Sequence, residues 1–227
     1  MNTVIVVGGS KGIGNSIIHH LLPHNKVINI SRTVPTQNHA NLTHYSCNIL
    51  EEELPEIETA HSLIYCPGSI NLKPISRLSI NDFKEDFEIN VLGAVKAIQK
   101  YLPVLKKNKN ASILLFSTVA AKLGMPFHAS IAISKSGVEG LVKSLGAELA
   151  PNVRINAIAP TITDTQLASK LLRNEKMIEA IKDRHPLKKF LNPEEVAEMA
   201  VFLISDKAAS LSGQIIEMDC GIVSFKI

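Results

Sequence analysis

The chain lacks tryptophan altogether, and aromatic residues make up only 4% of it. It has three cysteines, an odd number, and no Cys-x-x-Cys pair, so neither a disulfide framework nor a metal site such as zinc is indicated. This cysteine usage predicts a reducing, cytoplasmic location. No uninterrupted apolar run approaches the length of a membrane span, and the sequence therefore predicts no membrane association.

Charge of one sign is not in large excess either, because 24 basic residues face 21 acidic ones and the net charge is +3. The basic residues are dispersed along the chain rather than gathered in a stripe, which argues against a nucleic-acid partner. Hydrophobic residues make up 45% of the 227 residues. Such a chain can bury an aliphatic core without disulfides, and residues 1–227 are predicted to form a single domain.

The most informative stretch of sequence is residues 3–22. Residues 4–7 are an unbroken β-branched run, which is typical of a strand buried on both faces in a parallel sheet. From Ile13 the apolar residues recur at helical spacing up to Leu22. A glycine-rich turn, residues 8–14, joins the two and directs backbone N–H groups and the positive end of the helix toward an anion. The glycines also suit a purely structural corner, but the order strand, glycine loop, helix favours a dinucleotide site.

The spacing of Gly8, Gly12 and Gly14 is Gly-x-x-x-Gly-x-Gly. It resembles the glycine motif of the short-chain dehydrogenase/reductase family, and the similarity extends over nearly the whole chain, in particular to 3-oxoacyl-carrier-protein reductases. The resemblance implies an α/β, doubly wound Rossmann fold, with a seven-stranded, mostly parallel sheet and helices on both faces. It also implies a nicotinamide cofactor, a small-molecule carbonyl or alcohol substrate, and a homodimer or homotetramer formed through helices at residues 79–102 and 132–149.

The end of the second predicted strand bears on the choice between NAD and NADP. In a βαβ nucleotide site an acidic residue at this point holds the ribose hydroxyls of NAD, whereas a basic residue accommodates the extra phosphate of NADP. This strand ends in Ser31 and Arg32, and Lys11 lies in the glycine loop. NADP(H) is therefore expected in preference to NAD(H), although both cations are also compatible with an ordinary solvated surface. The resemblance assigns further cofactor contacts to Ser10, Ile13, Asn48, Ile49, Gly68, Lys135, Pro160, Thr163 and Thr165.

Three residues match the polar catalytic positions of the family. Asn90 lies in a predicted helix, Thr118 follows the fifth predicted strand, and Lys135 lies near the start of another helix. The intervals between these residues place Ile131 where the family has its catalytic tyrosine. A lone asparagine among apolar helix residues also fits a satisfied or kink-associated polar group. The missing tyrosine is the main departure of this chain from the family.

The chemistry of the family explains why the missing tyrosine matters. Hydride passes between the nicotinamide and a carbonyl while the phenol donates a proton to the developing alkoxide. Isoleucine has no ionisable proton, and the loss of one positioned acid typically costs about 10²–10⁴ in rate. A water held by Lys135 and Asn90, or the imidazole of His128, is the expected substitute. Ile131 also fits a packing role at a helix start, which would leave Lys135 as a ribose anchor.

Two functions from different classes follow from these residues. The chain is expected to be an NADP(H)-dependent oxidoreductase with an atypical active site. The alternative is an inactive protein that binds NADP(H) as a sensor or as the partner subunit of an active relative, and a wholly structural role is a weaker third possibility. Residues 166–190 are expected to form a lid that sets substrate choice, although their apolar side chains suit a core equally well. Thr161 stands where the family has glycine, which bears on the shape of the loop before this lid.

Overall fold

The computed structural model describes residues 1–224, and the last three residues of the predicted 1–227 domain lie outside the described part. Its centre is a seven-stranded sheet with the order β3-β2-β1-β4-β5-β6-β7. Every pair of neighbouring strands is parallel, which confirms the doubly wound fold. The strands are β1 Asn2–Val7, β2 Asn25–Ser31, β3 Leu42–Ser46, β4 Ser62–Tyr65, β5 Ala111–Phe116, β6 Val153–Pro160 and β7 Ile215–Met218.

Helices cover both faces of this sheet. They are α1 Gly12–Leu21, α2 Ile80–Phe87, α3 Gly93–Leu105, α4 Ala129–Leu149, α5 Glu175–Arg184 and α6 Pro193–Ile204. A turn of π-helix, Glu88–Leu92, joins α2 to α3, and short 3₁₀ turns include Val119–Ala121 and Gln166–Ala168. Within residues 1–224 no helix has both the length and the apolar character needed to span a bilayer.

The β-branched run at residues 4–7 shows why helices must cover both faces. Ile5 and Val7 point into a core shared with α3 and α4, whereas Val4 and Val6 point into a second core shared with α1 and α6. Successive side chains of a strand face opposite sides of the sheet, so an unbroken apolar run needs packing partners on both. All four side chains are buried.

The helix predicted at residues 79–102 is divided in three. A capping box at Ser79 and Asp82 begins α2, the π turn interrupts it, and α3 continues past Pro103 to Leu105. Pro103, just past the predicted end at residue 102, lies in the last turn of α3. There its missing N–H forfeits one hydrogen bond, which a terminal turn tolerates.

The chain reverses its direction of strand addition between β1 and β4. β2 and β3 extend the sheet on one side of β1, and β4 to β7 extend it on the other. In such sheets the crevice at the carboxyl ends of the strands next to this reversal binds ligands. The glycine loop after β1 and the segments after β4 and β5 therefore meet at one edge of the sheet.

Candidate cofactor and active site

The glycine loop after β1 depends on glycine for its shape. Gly8 has a φ of +78° and Gly12 one of +52°, a region that other residues rarely adopt. A Cβ on Gly14 would overlap the carbonyl oxygen of Gly8, so the start of α1 can approach the loop only because Gly14 has no side chain. The Gly8 N–H donates to the Ile30 carbonyl at 2.8 Å, which fixes the loop on the end of β2.

Asn29, a residue that the sequence analysis did not single out, completes this anchor. It is buried in the middle of β2, where its Oδ1 accepts from the Gly9 N–H at 3.0 Å and its Nδ2 donates to Ser31 Oγ at 2.8 Å. A lone amide inside an apolar strand needs hydrogen-bond partners, and that was the available signal. Asn29 therefore connects the glycine loop to the strand end where cofactor choice is decided.

The two predicted phosphate ligands, Lys11 and Arg32, are both exposed near this strand end. Between their two segments, Thr33 Oγ1 donates to Ser10 Oγ at 2.9 Å, which brings the glycine loop and the segment after β2 together. Neither cation has a side-chain hydrogen bond or ion pair with any residue among 1–224. Both are therefore available to an anion.

Asn48 and Ile49, two of the predicted cofactor contacts, follow β3, and the family resemblance implies that the side-chain oxygen of Asn48 meets the adenine amino group. Asn48 Oδ1 accepts from the Leu50 N–H at 3.3 Å, and the Asn48 N–H donates to Glu52 Oε2 at 2.5 Å. Ile49 is a buried core residue, so its side chain packs in the core rather than at a ligand site. The oxygen expected to meet the adenine amino group is thus already engaged by its own loop.

Lys135 on α4 is buried, and its Nζ donates to the Phe116 carbonyl at the end of β5, 2.8 Å away. Burial lowers the pKa of the Lys135 ammonium to about 8, because a low-dielectric environment disfavours the charged form. The Cys66 thiol and the Asp86 carboxyl partly oppose that effect on the pKa of Lys135. The same burial raises the pKa of the Cys66 thiol to about 12.

Asn90 lies in the π turn and faces Lys135 across Gly68. Its Nδ2 donates to the Asp86 carbonyl at 2.7 Å and to Ser69 Oγ at 3.2 Å. Its Oδ1 is buried and accepts no hydrogen bond from the residues that the structure describes. A Cβ built on Gly68 would lie 3.1 Å from Asn90 Oδ1 and 3.7 Å from Lys135 Nζ. The missing side chain of Gly68 therefore leaves space between the two polar groups.

Thr118 stands where β5 ends, half-buried at the start of the 3₁₀ turn Val119–Ala121. Its Oγ1 accepts from the Ala120 N–H at 3.4 Å and lies 3.5 Å from the Pro160 carbonyl, to which it donates. Both distances are long for hydrogen bonds of a hydroxyl, so the group can turn toward another partner at low cost. Thr118 also connects the end of β5 to the end of β6.

The family resemblance implies a catalytic tyrosine at residue 131, and the three tyrosines of the chain lie in other elements of the fold. Ile131 is only 3% exposed and belongs to the packed face of α4. Tyr65 donates its hydroxyl proton to the Ile89 carbonyl at 2.7 Å, and Tyr101 donates to the Pro55 carbonyl at 3.0 Å. Tyr45 is 39% exposed on β3, at the edge of the sheet. The imidazole of His128 contacts the Pro126 carbonyl at 2.7 Å through Nδ1.

The loop after β6 is held by a pair of residues that the family resemblance did not predict. Thr161 Oγ1 lies 2.7 Å from Nε2 of His185, and the other ring nitrogen of His185 lies 2.7 Å from the Ile181 carbonyl. Both side chains are buried. Thr161 therefore gives the loop a contact with the end of α5 that a glycine could not make. Further along, Thr165 packs its methyl group near Gly12, beside the glycine loop.

The predicted lid, residues 166–190, consists of the 3₁₀ turn Gln166–Ala168 and helix α5. Its apolar residues divide between the two interpretations of the sequence, because Ile181 is buried and Leu167 is 56% exposed. An open cavity of about 590 Å³ lies beside the turn that follows Thr118, between residues 120–132 and the segment around Ile75. Its lining is mainly apolar, with Lys73, Lys122 and His128 as the basic groups.

Comparisons with known proteins agree with this geometry. The family model described as enoyl-(acyl carrier protein) reductase matches residues 49–223. The 3-oxoacyl-[acyl-carrier-protein] reductase of Thermotoga maritima is 37% identical over 148 residues, which are 65% of this chain and 59% of that protein. The reductase of the same name from Rickettsia felis is 28% identical over 97% of this chain and 96% of its own length.

A solved structure has the same fold over nearly the whole chain. The ligand-free aldohexose dehydrogenase of Thermoplasma acidophilum superposes with a TM-score of 0.90 and 26% identity, covering 99% of this chain and 95% of that one. The family match, the parallel sheet and the glycine loop agree with one another. The chain belongs to the short-chain dehydrogenase/reductase family of oxidoreductases, which bind nicotinamide dinucleotides on a Rossmann fold.

Proposed function

We propose that this protein is an NADP(H)-dependent oxidoreductase that interconverts a small carbonyl compound and its alcohol, with a water held by Lys135 and Asn90 in place of the tyrosine phenol. The observation that carries the proposal is the buried Asn90 Oδ1 without a partner, which faces Lys135 across Gly68. A buried acceptor left unsatisfied costs about 1–3 kcal/mol. A water or a ribose hydroxyl bound there would remove that cost.

The side chains around this space suit distinct tasks. The bound nicotinamide supplies or accepts the hydride. The ammonium of Lys135, already anchored on the Phe116 carbonyl, keeps donor protons for a ribose hydroxyl and for a water. The loosely bonded hydroxyl of Thr118 is free to orient a substrate carbonyl. Asn90 Oδ1 accepts from the water, so that the water directs its remaining proton toward the substrate.

The preference for NADP(H) rests on charge at the end of β2. Arg32 and Lys11 are exposed cations without an ion pair in the described part of the chain, and no carboxylate follows Ser31 directly. An arginine in this place binds the 2′-phosphate, whereas an acidic residue would bind the ribose hydroxyls of NAD. The Thermotoga and Rickettsia relatives are named as 3-oxoacyl-carrier-protein reductases, and a carbonyl substrate is proposed here by analogy with them.

Calorimetric titration with NADPH and NADH tests this proposal. We expect NADPH to bind more tightly than NADH, and Arg32→Glu to weaken NADPH binding by about 10–100-fold while NADH binding changes little. Lys26→Glu is the control, because it reverses an exposed charge at the opposite end of the same strand. Absence of heat with either dinucleotide at millimolar concentration would overturn both the oxidoreductase and the binding-protein interpretation.

The second candidate function is binding of NADP(H) without turnover, as a sensor or partner subunit. The observation that favours it is Ile131, which is buried and aliphatic where the family has its acid. Cofactor binding does not require a proton donor at residue 131, since neither the glycine loop nor Lys135 depends on that residue for its contacts.

We further propose that the chain forms a homodimer or homotetramer in the cytoplasm. The exposed apolar side chains of Ile80, Phe87, Leu92 and Ile133 lie on α2, the π turn and α4, the helices implied by the family resemblance. Large apolar side chains exposed on neighbouring helices are typical of an interface between protein chains. All three cysteines are free, which fits a reducing compartment.

A further inference from the structure

A buried carboxylate, Asp86 on α2, lies beside the proposed site but is not among the residues that the family resemblance assigns. Its side chain is 0% exposed. Its Oδ1 accepts from Ser69 Oγ at 2.5 Å and from Asn71 Nδ2 at 3.1 Å, and its Oδ2 accepts from Ser130 Oγ at 2.6 Å. Among residues 1–224 it has no cation within ion-pair distance. Burying a carboxylate without a nearby cation is costly, so the position of Asp86 among three neutral donors calls for an explanation.

These donors come from different segments around the site. Ser69 and Asn71 belong to the loop after β4, and Ser130 belongs to the first turn of α4, next to Ile131. Asp86 itself precedes Asn90 by one helical turn. One carboxylate thus joins the β4 loop, α2 and α4 where they surround Lys135 and Gly68.

The network also determines how the Asn90 amide is oriented. Ser69 Oγ donates its hydroxyl proton to Asp86 Oδ1. The lone pairs of Ser69 then accept from Asn90 Nδ2, whose other proton goes to the Asp86 carbonyl. Both amide protons are used on the Asp86 side, which leaves Asn90 Oδ1 toward Gly68 and Lys135.

We propose that Asp86 is a positioning residue of this site, which fixes the amide of Asn90 through Ser69 and serves as the counter-charge of the Lys135 ammonium. The inference rests on the proposed function in that it assigns a purpose to the space between Asn90 and Lys135. Two ionisable groups act on Lys135, the Cys66 thiol from the end of β4 and the Asp86 carboxyl from α2. Asp86 raises the pKa of Lys135 against the effect of burial, and so favours the charged lysine.

Asp86→Asn tests the inference, because asparagine keeps the shape and removes the charge. The pKa of Lys135 is measured on the full-length chain by NMR titration of the lysine side-chain signals, with Lys135→Met identifying the signal. We expect Asp86→Asn to lower that pKa by about half a unit or more. Glu85→Gln is the matched control, because it removes an exposed carboxylate from the neighbouring position of the same helix. An unchanged Lys135 titration in Asp86→Asn would overturn the inference.

Steady-state reduction of a carbonyl panel gives the second readout. We expect Asp86→Asn to lower kcat about tenfold with the KM for NADPH within about twofold, because the cofactor groove keeps its contacts. If the native chain neither binds NADPH nor reduces a ketone, the proposed function fails, whereas the NMR titration still decides the role of Asp86. Equal kcat values for Asp86→Asn and the native chain would contradict positioning.

Ser69→Ala keeps the inference falsifiable if Asp86→Asn does not fold. This variant retains the carboxylate and its contacts with Asn71 and Ser130, and removes the hydroxyl through which Asp86 is joined to Asn90. We expect the side-chain amide signals of Asn90 to shift while the pKa of Lys135 stays as in the native chain. Unchanged Asn90 amide signals would contradict the role of the Ser69 link.

Discussion

At residue 131 the side chain is an isoleucine held among core residues of α4. If only the proton donor is missing, Ile131→Tyr is expected to raise the rate of ketone reduction by about 10²–10⁴. The larger ring also costs about 1–3 kcal/mol of stability through overpacking. Initial rates with NADPH and a panel of ketones measure the gain.

Ile131→Phe is the control, since it adds the same ring without the hydroxyl and should give no comparable rise in rate. A gain shared by both variants would mean that the ring, not the proton, changes the site. No gain for Ile131→Tyr over a broad panel would favour the binding protein without turnover.

Lys135 makes a second residue-scale prediction, for pH. Its ammonium has a folded-state pKa of about 8, below its ordinary value, so it loses its proton as the pH rises through 8. NADPH affinity is therefore expected to fall above about pH 8, because a neutral amine offers no positive charge to the cofactor. Calorimetric titrations from pH 7 to 10 measure the change, and the affinity of Lys135→Met should lack this component.

The free energy of unfolding changes with pH in the opposite direction to NADPH affinity. A base whose pKa is depressed by folding binds fewer protons in the folded than in the unfolded state over the interval between the two pKa values. Lys135 therefore makes the free energy of unfolding rise as the pH increases from about 8 toward the ordinary lysine range. Urea denaturation at several pH values measures this rise. The same pH dependence of the unfolding free energy in the native chain and in Lys135→Met would contradict a depressed pKa for Lys135.

Some residues of the site could be identified from the sequence, and others could not. Asn90 and Lys135 were identified by their intervals and Gly68 by the family resemblance, and the structure brings these three together. Asn29 and Asp86 were not identified, because their roles depend on hydrogen bonds between segments far apart in the chain. A polar residue within an apolar strand is a visible signal, whereas an aspartate on a helix normally reads as solvent-exposed.

Among the elements, the π turn Glu88–Leu92 is the one that shapes the site. It carries Asn90 and ends where Gly93 packs against the Tyr65 hydroxyl. A Cβ on Gly93 would overlap that hydroxyl, so Gly93→Ala is expected to cost about 1–3 kcal/mol in the free energy of unfolding. Urea denaturation measures it.

Tyr65→Phe should relieve that clash, since it removes the hydroxyl and leaves the ring. The double variant is expected to be more stable than Gly93→Ala alone, even though Tyr65→Phe gives up the hydrogen bond to the Ile89 carbonyl. Additive losses of stability in the two variants would show that this contact does not limit the packing of the π turn.

Element boundaries were predictable where local chemistry sets them. Asn192, Pro193 and Glu195 form the start of α6 as a cap, a first-turn proline and a reciprocal carboxylate. The π turn was not predictable, because Phe87, Val91 and Val95 keep a spacing of four that an uninterrupted α-helix also allows. Its presence is decided by packing against β4 and α4 rather than by the residues of the turn alone.

For the whole molecule, the exposed apolar face on α2 and α4 leads to a prediction about assembly. Ile133 is 58% exposed, and Gly137, one turn later on α4, lies close to Phe87. Ile133→Glu is expected to shift the protein toward the monomer, because a charge would be buried in the proposed interface. Sedimentation velocity measures the shift.

Val34→Glu is the matched control, since Val34 is also apolar and exposed but lies in the loop after β2. It should leave the assembly state unchanged. A native chain that sediments as a monomer at micromolar concentration would argue against this face as an interface.

The overall architecture was predictable from the sequence because a parallel sheet covered on both faces demands unbroken apolar strands separated by amphipathic helices. Residues 4–7 and the helix after them already state that pattern. The loops after β4 and β6 were less predictable, and in the second of them Thr161 stands where the family resemblance implies a glycine. Their shape depends on partners such as His185 that no local pattern identifies.

The Thr161 and His185 contact has a mechanical consequence. The imidazole of His185 contacts Thr161 in the loop after β6 and the Ile181 carbonyl of its own helix. The C-terminal end of α5 is therefore fixed to the loop after β6. Any movement of the segment between Thr165 and α5 must therefore be a rotation about this fixed end. Such a rotation would carry the end of α5 next to Glu175 farther than the end next to His185.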